Sequence, residues 1–209
     1  KYAPDYLLQI MRALILLSIG FVIAVDIYLG FSVAEYSYIS NTISDLAAGD
    51  RSWLMDVAVK IFAAGIALFG LAFVLIARLA KYSKALAIAT VACIFAIAVI
   101  VYFIAEFDAY SNEQGTIDMR IHRLLTLGLY ASFAAKALFI ARLFNLASTK
   151  LGKFSKIIGI LWLITAPVFM FVPTYMDGIY ERLLALQIAT WFGVFAWQLP
   201  KLAARTQCD

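Results

Sequence analysis

Long apolar runs separated by short polar segments dominate this chain. The runs lie at residues 13–31, 57–77, 85–105, 124–141, 157–176 and 183–199. A helix needs about 20 apolar residues to cross the hydrocarbon core of a bilayer, and each run is close to that length. The pattern therefore predicts an all-α protein, a bundle of six membrane-spanning helices. In this interpretation the whole chain, residues 1–209, forms a single membrane domain.

Charged residues alternate between the two ends of these runs. Acidic residues cluster in the first, third and fifth connections, whereas Lys and Arg cluster in the other connections and near both termini. Because Lys and Arg are retained on the cytoplasmic side of a membrane, this distribution predicts cytoplasmic termini and acidic loops that face outward. We therefore expect a multi-pass protein of the cytoplasmic (inner) membrane.

The composition supports this interpretation and excludes other classes. Hydrophobic residues make up 65% of the chain and charged residues 14%, far from the balance of a soluble domain. Juxtamembrane Lys and Arg that face anionic lipid explain the formal net charge of +4. Membrane lipids are therefore the expected partners, with other membrane-protein subunits as a second class, and nucleic acid is not expected.

The first outer loop carries a dense polar segment, residues 36–49. Thr42 followed three residues later by Asp45 has the form of a capping box, and Gly49 fits a C-terminal cap. Together they predict a helix of about two turns at the membrane interface. The same hydroxyl and amide groups can also bind lipid headgroups or a ligand, so both a structural and a binding role stay open.

The string Tyr-x-x-Ile-Ser-Asn-Thr-Ile-Ser-Asp-Leu-Ala at residues 36–47 resembles the signature of a known membrane family. This family, from bacteria and archaea, is catalogued as domain of unknown function nine-nine-eight. Asp108 followed by His122 and Arg123, and the Gly-Ile-Tyr-Glu-Arg-Leu string at residues 178–183, fit the same family. The resemblance spans nearly the whole chain and implies six helices with a shared set of outer-face motifs, but no established activity. The loop has a weaker similarity to the Frag1/DRAM/Sfk1 group of multi-spanning proteins.

The predicted topology places these three patches on the same side of the membrane, where they can converge in an outward-facing polar cup. The candidate ligand-binding residues are Ser40, Asn41, Ser44, Asp45, Asp108, His122, Arg123, Glu181 and Arg182. A ring of salt bridges that ties helix ends together is the alternative role for the charged members. The leading functional hypothesis is a non-catalytic protein that binds a lipid, a small ligand or a neighbouring membrane subunit.

An outer-leaflet lipid-headgroup hydrolase is the alternative hypothesis. Ser40 or Ser44 would be its nucleophile and His122 its general base, with Asp108 orienting the imidazole. Because these residue types are common in polar loops, no catalytic residue is assigned and an enzyme is not favoured. A single histidine without a thiolate partner argues against a metal site, and no cofactor is expected.

Three charged residues fall within or near the ends of predicted spans, where ionisable groups are costly. Asp26 and Lys60 lie at matching depths, each under about 10 Å below the outer boundary, which predicts an ion pair between the first two spans. Asp56 is a competing partner for Lys60 because the two are four residues apart on one helix. Lys136 lies deep in the fourth span, and we expect its amine to extend toward the cytoplasmic interface.

Overall fold

The computed structural model describes residues 5–48, 52–79, 83–107, 117–145 and 149–206. Every regular element in these segments is helical. The helices are α1 (Asp5–Ser32), α2 (Ile43–Ala48), α3 (Ser52–Leu79), α4 (Lys84–Ile104), α5 (Ile117–Asn145), α6 (Thr149–Val168) and α7 (Asp177–Thr206), and two 3₁₀ turns lie between α6 and α7. Six of the described helices, all but α2, are long and apolar enough to cross a membrane. The prediction of an all-α protein with six spanning helices is confirmed.

The long helices form one bundle in which helices consecutive in the chain pack side by side. α1 packs on α3, α3 on α4, α4 on α5 and α5 on α6, and α7 closes the bundle against α6, α1 and α3. At one end, the amide of Ile179 donates a hydrogen bond to the carbonyl of Ile39 at 3.1 Å. At the other end, Arg12 lies over the ring of Trp197, 5.0 Å from its centre. We call the first of these the outer end; the cytoplasmic location of the termini stays a prediction.

Prolines shape the entry into α7. The sequence predicts that Pro167 and Pro173 kink one long fifth span. Instead α6 ends at Val168, and Pro173 lies between the 3₁₀ turns Phe169–Phe171 and Thr174–Met176. Pro173 forces an extended conformation on the residue before it, so the helix cannot continue through this point. After this break, α7 begins at Asp177.

Aromatic side chains and a relay of hydrogen bonds hold α5, α6 and α7 together in the core. Trp191 and Phe133 are fully buried, and their ring centres lie 6.3 Å apart. The indole Nε1 of Trp191 donates to the Ser155 hydroxyl at 2.9 Å, and that hydroxyl donates to the Ala137 carbonyl at 2.7 Å. Buried polar groups are paired in this way because an unpaired one costs free energy in an apolar interior.

Lys136 departs from that rule, and its predicted extension toward the interface is wrong. The side chain is 0% exposed, and its amine has no hydrogen-bond partner within the described part of the chain. The Nζ atom instead lies 3.1 Å from the ring centre of Trp191, 3.7 Å from that of Phe133 and 4.4 Å from that of Phe192. α5 turns this position toward α7, so aromatic rings close over the amine before it can reach an interface.

Replacing Lys136 with methionine is expected to raise the free energy of unfolding by about 1 to 2 kcal/mol. A buried N–H donor without an acceptor costs about 1 to 3 kcal/mol, and contacts with aromatic rings offset only part of that cost. Chemical unfolding in detergent micelles measures the change. The same substitution at exposed Lys153 is the matched control and is expected to change stability by less than about 0.5 kcal/mol. A lower stability of the Lys136 variant would show that the amine stabilises the core.

Candidate functional site

The short helix predicted in the first outer loop is present as α2, and the capping box forms in both directions. The amide of Thr42 donates to the Asp45 carboxylate at 2.6 Å, and the amide of Asp45 donates to the Thr42 hydroxyl at 3.0 Å. These bonds satisfy backbone donors that a helix start leaves unpaired. The predicted cap at Gly49 lies outside the described residues.

Arg182, near the start of α7, binds the first outer loop and α1 at once. Its Nε and Nη2 atoms donate to the two carboxylate oxygens of Asp26 at 3.1 and 2.8 Å. Its Nη1 atom donates to the carbonyls of Asn41 at 2.8 Å, Gly178 at 3.1 Å and Tyr38 at 3.4 Å. The guanidinium fits this task because it offers five donors in a fixed plane.

Two tyrosines complete the shell around the guanidinium of Arg182. Its Cζ atom lies 4.8 Å from the ring centre of Tyr38 and 5.5 Å from that of Tyr36. Arg182 also donates to the Tyr36 hydroxyl. Burial raises the pKa of Tyr36 to about 12, so this hydroxyl keeps its proton at neutral pH and donates to the Thr42 carbonyl at 2.8 Å. We call Arg182, Asp26, Tyr36, Tyr38, Asn41 and Gly178 together the outer clamp.

Gly178 brings the backbone of α7 against the backbone of the first loop. A Cβ atom at this position would lie 2.2 Å from the carbonyl oxygen of Asn41. The hydrogen bond from Ile179 to Ile39 lies beside this contact. Only glycine permits so close an approach, so the Gly-Ile-Tyr-Glu-Arg string has a direct structural role.

The predicted ion pair between Asp26 and Lys60 is wrong. Asp26 pairs with Arg182 at 2.8 Å, and Lys60 pairs with Glu106 at 2.7 Å. Lys60 lies on α3 and reaches Glu106, two residues beyond the end of α4, and its hydrogen bond lowers the pKa of Glu106. Matching depth in the membrane was the basis of the prediction, but depth does not determine which face of a helix a residue occupies.

Glu181, on α7, accepts two hydrogen bonds from the first residues of α2. One carboxylate oxygen accepts from the backbone amide of Ile43 at 2.5 Å, and the other accepts from the Ser44 hydroxyl at 3.2 Å. The carboxylate thus lies at the positively polarised start of α2, where a negative charge is favourable. Ser44 and Glu181 are therefore brought together, as the hypothesis of an outer cup requires.

A cavity of 660 Å³ opens at the outer end among α2, α3, α5, α6, α7 and the end of α4; we call it the outer cavity. Its polar lining includes Thr42, Ser44, Asp56, His122, Arg123, Thr126, Thr174, Asp177 and Glu181. Its apolar lining includes Met55, Val59, Leu129, Tyr130, Trp162, Leu184, Ala185 and Ile188. The volume lies within the range of cavities that hold drug-sized ligands, about 300 to 1,000 Å³.

His122 lines the polar part of the cavity, and one nitrogen of its ring is bound to the backbone. Its Nδ1 atom is 2.8 Å from the backbone carbonyl oxygen of Phe107. Because a carbonyl oxygen only accepts, Nδ1 carries the hydrogen, and in the neutral ring Nε2 is then the acceptor. Arg123, the next residue, is exposed and has no ion-pair partner among the residues that the structure describes.

The sequence-predicted site residues divide into three groups. Ser44, His122, Arg123 and Glu181 line the outer cavity. Asn41, Asp45 and Arg182 hold its α2 wall in place through the clamp and the capping box. Ser40 lies outside the lining of the cavity, and Asp108 lies outside the described residues.

Sequence reasoning missed several members of the cavity wall. Asp177 is the first residue of α7, and in the sequence it is one of the acidic residues of the fifth connection, without a further signal. Thr126 lies one helical turn after His122, and its hydroxyl donates to the His122 carbonyl at 2.9 Å, so spacing alone indicated a shared face. Nothing in the sequence marks Trp162 and Tyr130 as cavity-lining residues, because an apolar residue type is the same whether the side chain contacts lipid or a cavity.

In this structure the Ser44 hydroxyl does not form the nucleophile–base contact with His122 that a serine hydrolase needs. The single hydrogen of the Ser44 hydroxyl is donated to Glu181, so Ser44 does not donate to His122. Asp45, a nearby carboxylate, is engaged in the helix cap. Among the described residues, no group of three or more His, Cys, Asp or Glu side chains is arranged to hold a metal ion.

Comparison with known proteins identifies a family and nothing more specific. The model of the family described as "Protein of unknown function (DUF998)" matches residues 16–198, which includes most or all of every spanning helix. No curated protein and no solved structure matches the chain. The two strings of the outer clamp, residues 36–47 and 178–183, both lie within the matched region.

Proposed function

The chain belongs to the DUF998 family, and we propose that it binds a membrane amphiphile in the outer cavity without carrying out chemistry on it. The observation that carries this proposal is the division of the cavity lining into a polar part and an apolar part. A lipid has the same division, with a polar headgroup and an apolar chain. In the orientation that the loop charges favour, the polar part faces the outer leaflet.

The depth of the cavity suits a lipid chain. Asp177 in the polar lining and Ile188 in the apolar lining are three turns apart on α7, which is about 16 Å. The hydrocarbon core of a bilayer is about 30 Å thick, so a chain in this cavity would reach close to the middle of the membrane. Trp162 and Tyr130, whose ring centres are 5.6 Å apart, would meet its deep end.

The clamp supports binding because it fixes the α2 wall before a ligand arrives. Arg182 and Glu181, adjacent on α7, hold the loop before α2 and the first residues of α2. A wall that is already ordered loses little conformational entropy on binding, and this favours affinity. Glu181, which lies outside the clamp, occupies the Ser44 hydroxyl, which is why binding is favoured over hydrolysis.

Filling the cavity is expected to abolish lipid retention. Ala185 lines the cavity on α7, and the variant Ala185→Trp places an indole in the space that the chain would occupy. Native mass spectrometry of wild-type protein, extracted gently from its own membrane, should show one lipid-sized mass increment. The variant should lose at least about nine-tenths of this adduct, as expected when about 1.4 kcal/mol of binding free energy is lost.

The variant Ala96→Trp is the matched control, because Ala96 is exposed on α4 and does not line the cavity. It should retain the lipid as the wild type does. Equal retention by Ala185→Trp and the wild type, or a wild-type protein without an adduct, would contradict the proposal. A co-purifying membrane protein in place of a lipid would favour an accessory-subunit role instead.

A further inference from the structure

Opposite charges line the polar part of the outer cavity, and none of the salt bridges among the described residues joins them. Arg123 lies on α5, whereas Asp177 and Glu181 lie on α7. Within the described part of the chain, neither Arg123 nor Asp177 forms a salt bridge. Glu181 uses one hydrogen bond on each oxygen, which leaves further lone pairs on both oxygens.

From this arrangement we propose that the outer cavity selects an amphiphile with a zwitterionic headgroup, its phosphate toward Arg123 and its ammonium toward Asp177 and Glu181. This inference rests on the proposed function. The guanidinium of Arg123 matches the geometry of a phosphate, which accepts two parallel N–H bonds. An ammonium supplies three donors, and carboxylates are its natural acceptors.

A headgroup with only one kind of charge fits this lining less well. An anionic headgroup would satisfy Arg123 but would bring a negative charge toward Asp177, Glu181 and Asp56, which all line the same cavity. A purely cationic headgroup has no acceptor for the N–H groups of Arg123, and its positive charge would repel the guanidinium. A phosphate and an ammonium on one headgroup satisfy both kinds of charge in this lining.

The test offers wild-type protein an equal mixture of phosphatidylethanolamine and phosphatidylglycerol with identical acyl chains in detergent micelles. Native mass spectrometry then measures the ratio of the two bound lipids. We expect phosphatidylethanolamine to be preferred by about tenfold or more, as for one charged hydrogen bond. Free phosphoethanolamine at the same concentration should not displace the lipid, since it lacks the chain that fills the apolar lining.

Two variants test the roles of the Asp177 carboxylate and the Arg123 guanidinium separately. Asp177→Asn should reduce the preference to about threefold or less, because the carboxylate on the ammonium side is lost. Arg123→Gln should weaken binding of both lipids, because both carry a phosphate. Ser37→Ala, in the first loop and outside the cavity lining, is the control and should leave the ratio unchanged.

The outcomes separate this inference from the proposed function. Equal binding of the two lipids, or a preference for phosphatidylglycerol, would overturn the zwitterionic headgroup, and the cavity would still be a lipid site if Ala185→Trp abolished the adducts. An unchanged ratio in Asp177→Asn would also overturn it. Binding of neither lipid would overturn the proposed function and this inference together.

Discussion

Replacing Arg182 with methionine is expected to lower the free energy of unfolding by about 3 to 5 kcal/mol, the range seen when one partner of a buried ion pair is removed. The substitution leaves the Asp26 carboxylate without its bidentate partner, at a place where the two side chains are only 17% and 16% exposed. It also removes the donors to the carbonyls of Asn41 and Tyr38. Methionine has no N–H group in its side chain and restores none of these bonds, and the Asn41 carbonyl keeps the Tyr36 hydroxyl as a donor at 3.1 Å.

Chemical unfolding in detergent measures this effect, with Arg123→Met as the matched control. Arg123 is exposed, so its replacement should change stability by less than about 0.5 kcal/mol. The double variant Asp26→Asn with Arg182→Met should be more stable than Arg182→Met alone, because the unpaired charge is then removed as well. An Arg182→Met protein as stable as the control would show that the clamp contributes nothing to the fold.

Gly178→Ala is expected to lower the free energy of unfolding by about 3 kcal/mol, near the upper end for overpacking. The added Cβ would lie 2.2 Å from the Asn41 carbonyl oxygen and 2.9 Å from the Asn41 nitrogen. These are backbone atoms, so no side-chain rotation relieves the clash. The first loop must move away from α7, and the hydrogen bond from Arg182 to Asn41 is lost with it.

Gly193→Ala on the same helix is the matched control for this substitution. A Cβ there would meet a side-chain atom of Ile19 at 3.8 Å, an ordinary contact distance. Because alanine has a higher helix propensity than glycine, the control should be equal to the wild type or more stable by up to about 1 kcal/mol. Thermal unfolding that is the same for Gly178→Ala and Gly193→Ala would contradict the close backbone contact.

The apolar runs and the capping box in the sequence are enough to predict the helices of this fold. The six spans follow from the lengths of the apolar runs, since the bilayer requires about 20 residues per helix. The α2 helix follows from Thr42 and Asp45, because a capping box is formed by residues three apart and needs no tertiary contact. Both predictions depend on interactions within one segment of the chain.

The site itself depends on contacts that no local pattern encodes. Asp26 and Arg182 are 156 residues apart in sequence, and their pairing requires that α1 and α7 pack together at a particular rotation. Lys136 was expected at an interface, but the rotation of α5 turns it toward Trp191. The cavity is lined by residues from several helices, and its apolar lining has the same kind of residues as a lipid-facing surface.

The two strings that carry the family resemblance contact each other. This contact is a physical reason for both strings to occur in the same chain. The loop string supplies Tyr36, Tyr38 and Asn41 to the clamp, and the α7 string supplies Gly178 and Arg182. These residues build and fix the α2 wall of the outer cavity. Under the proposed function they would act on a ligand only by shaping its site, whereas Arg123 and Asp177 would contact its headgroup.

The most direct test is a cryo-electron microscopy structure of the wild-type protein in nanodiscs made from its own membrane lipids. We expect an elongated density in the outer cavity, with its wider end between Arg123 and Asp177 and its narrow end at Trp162. A cavity that is closed by its own side chains, or that contains only separate water-sized densities, would contradict the account.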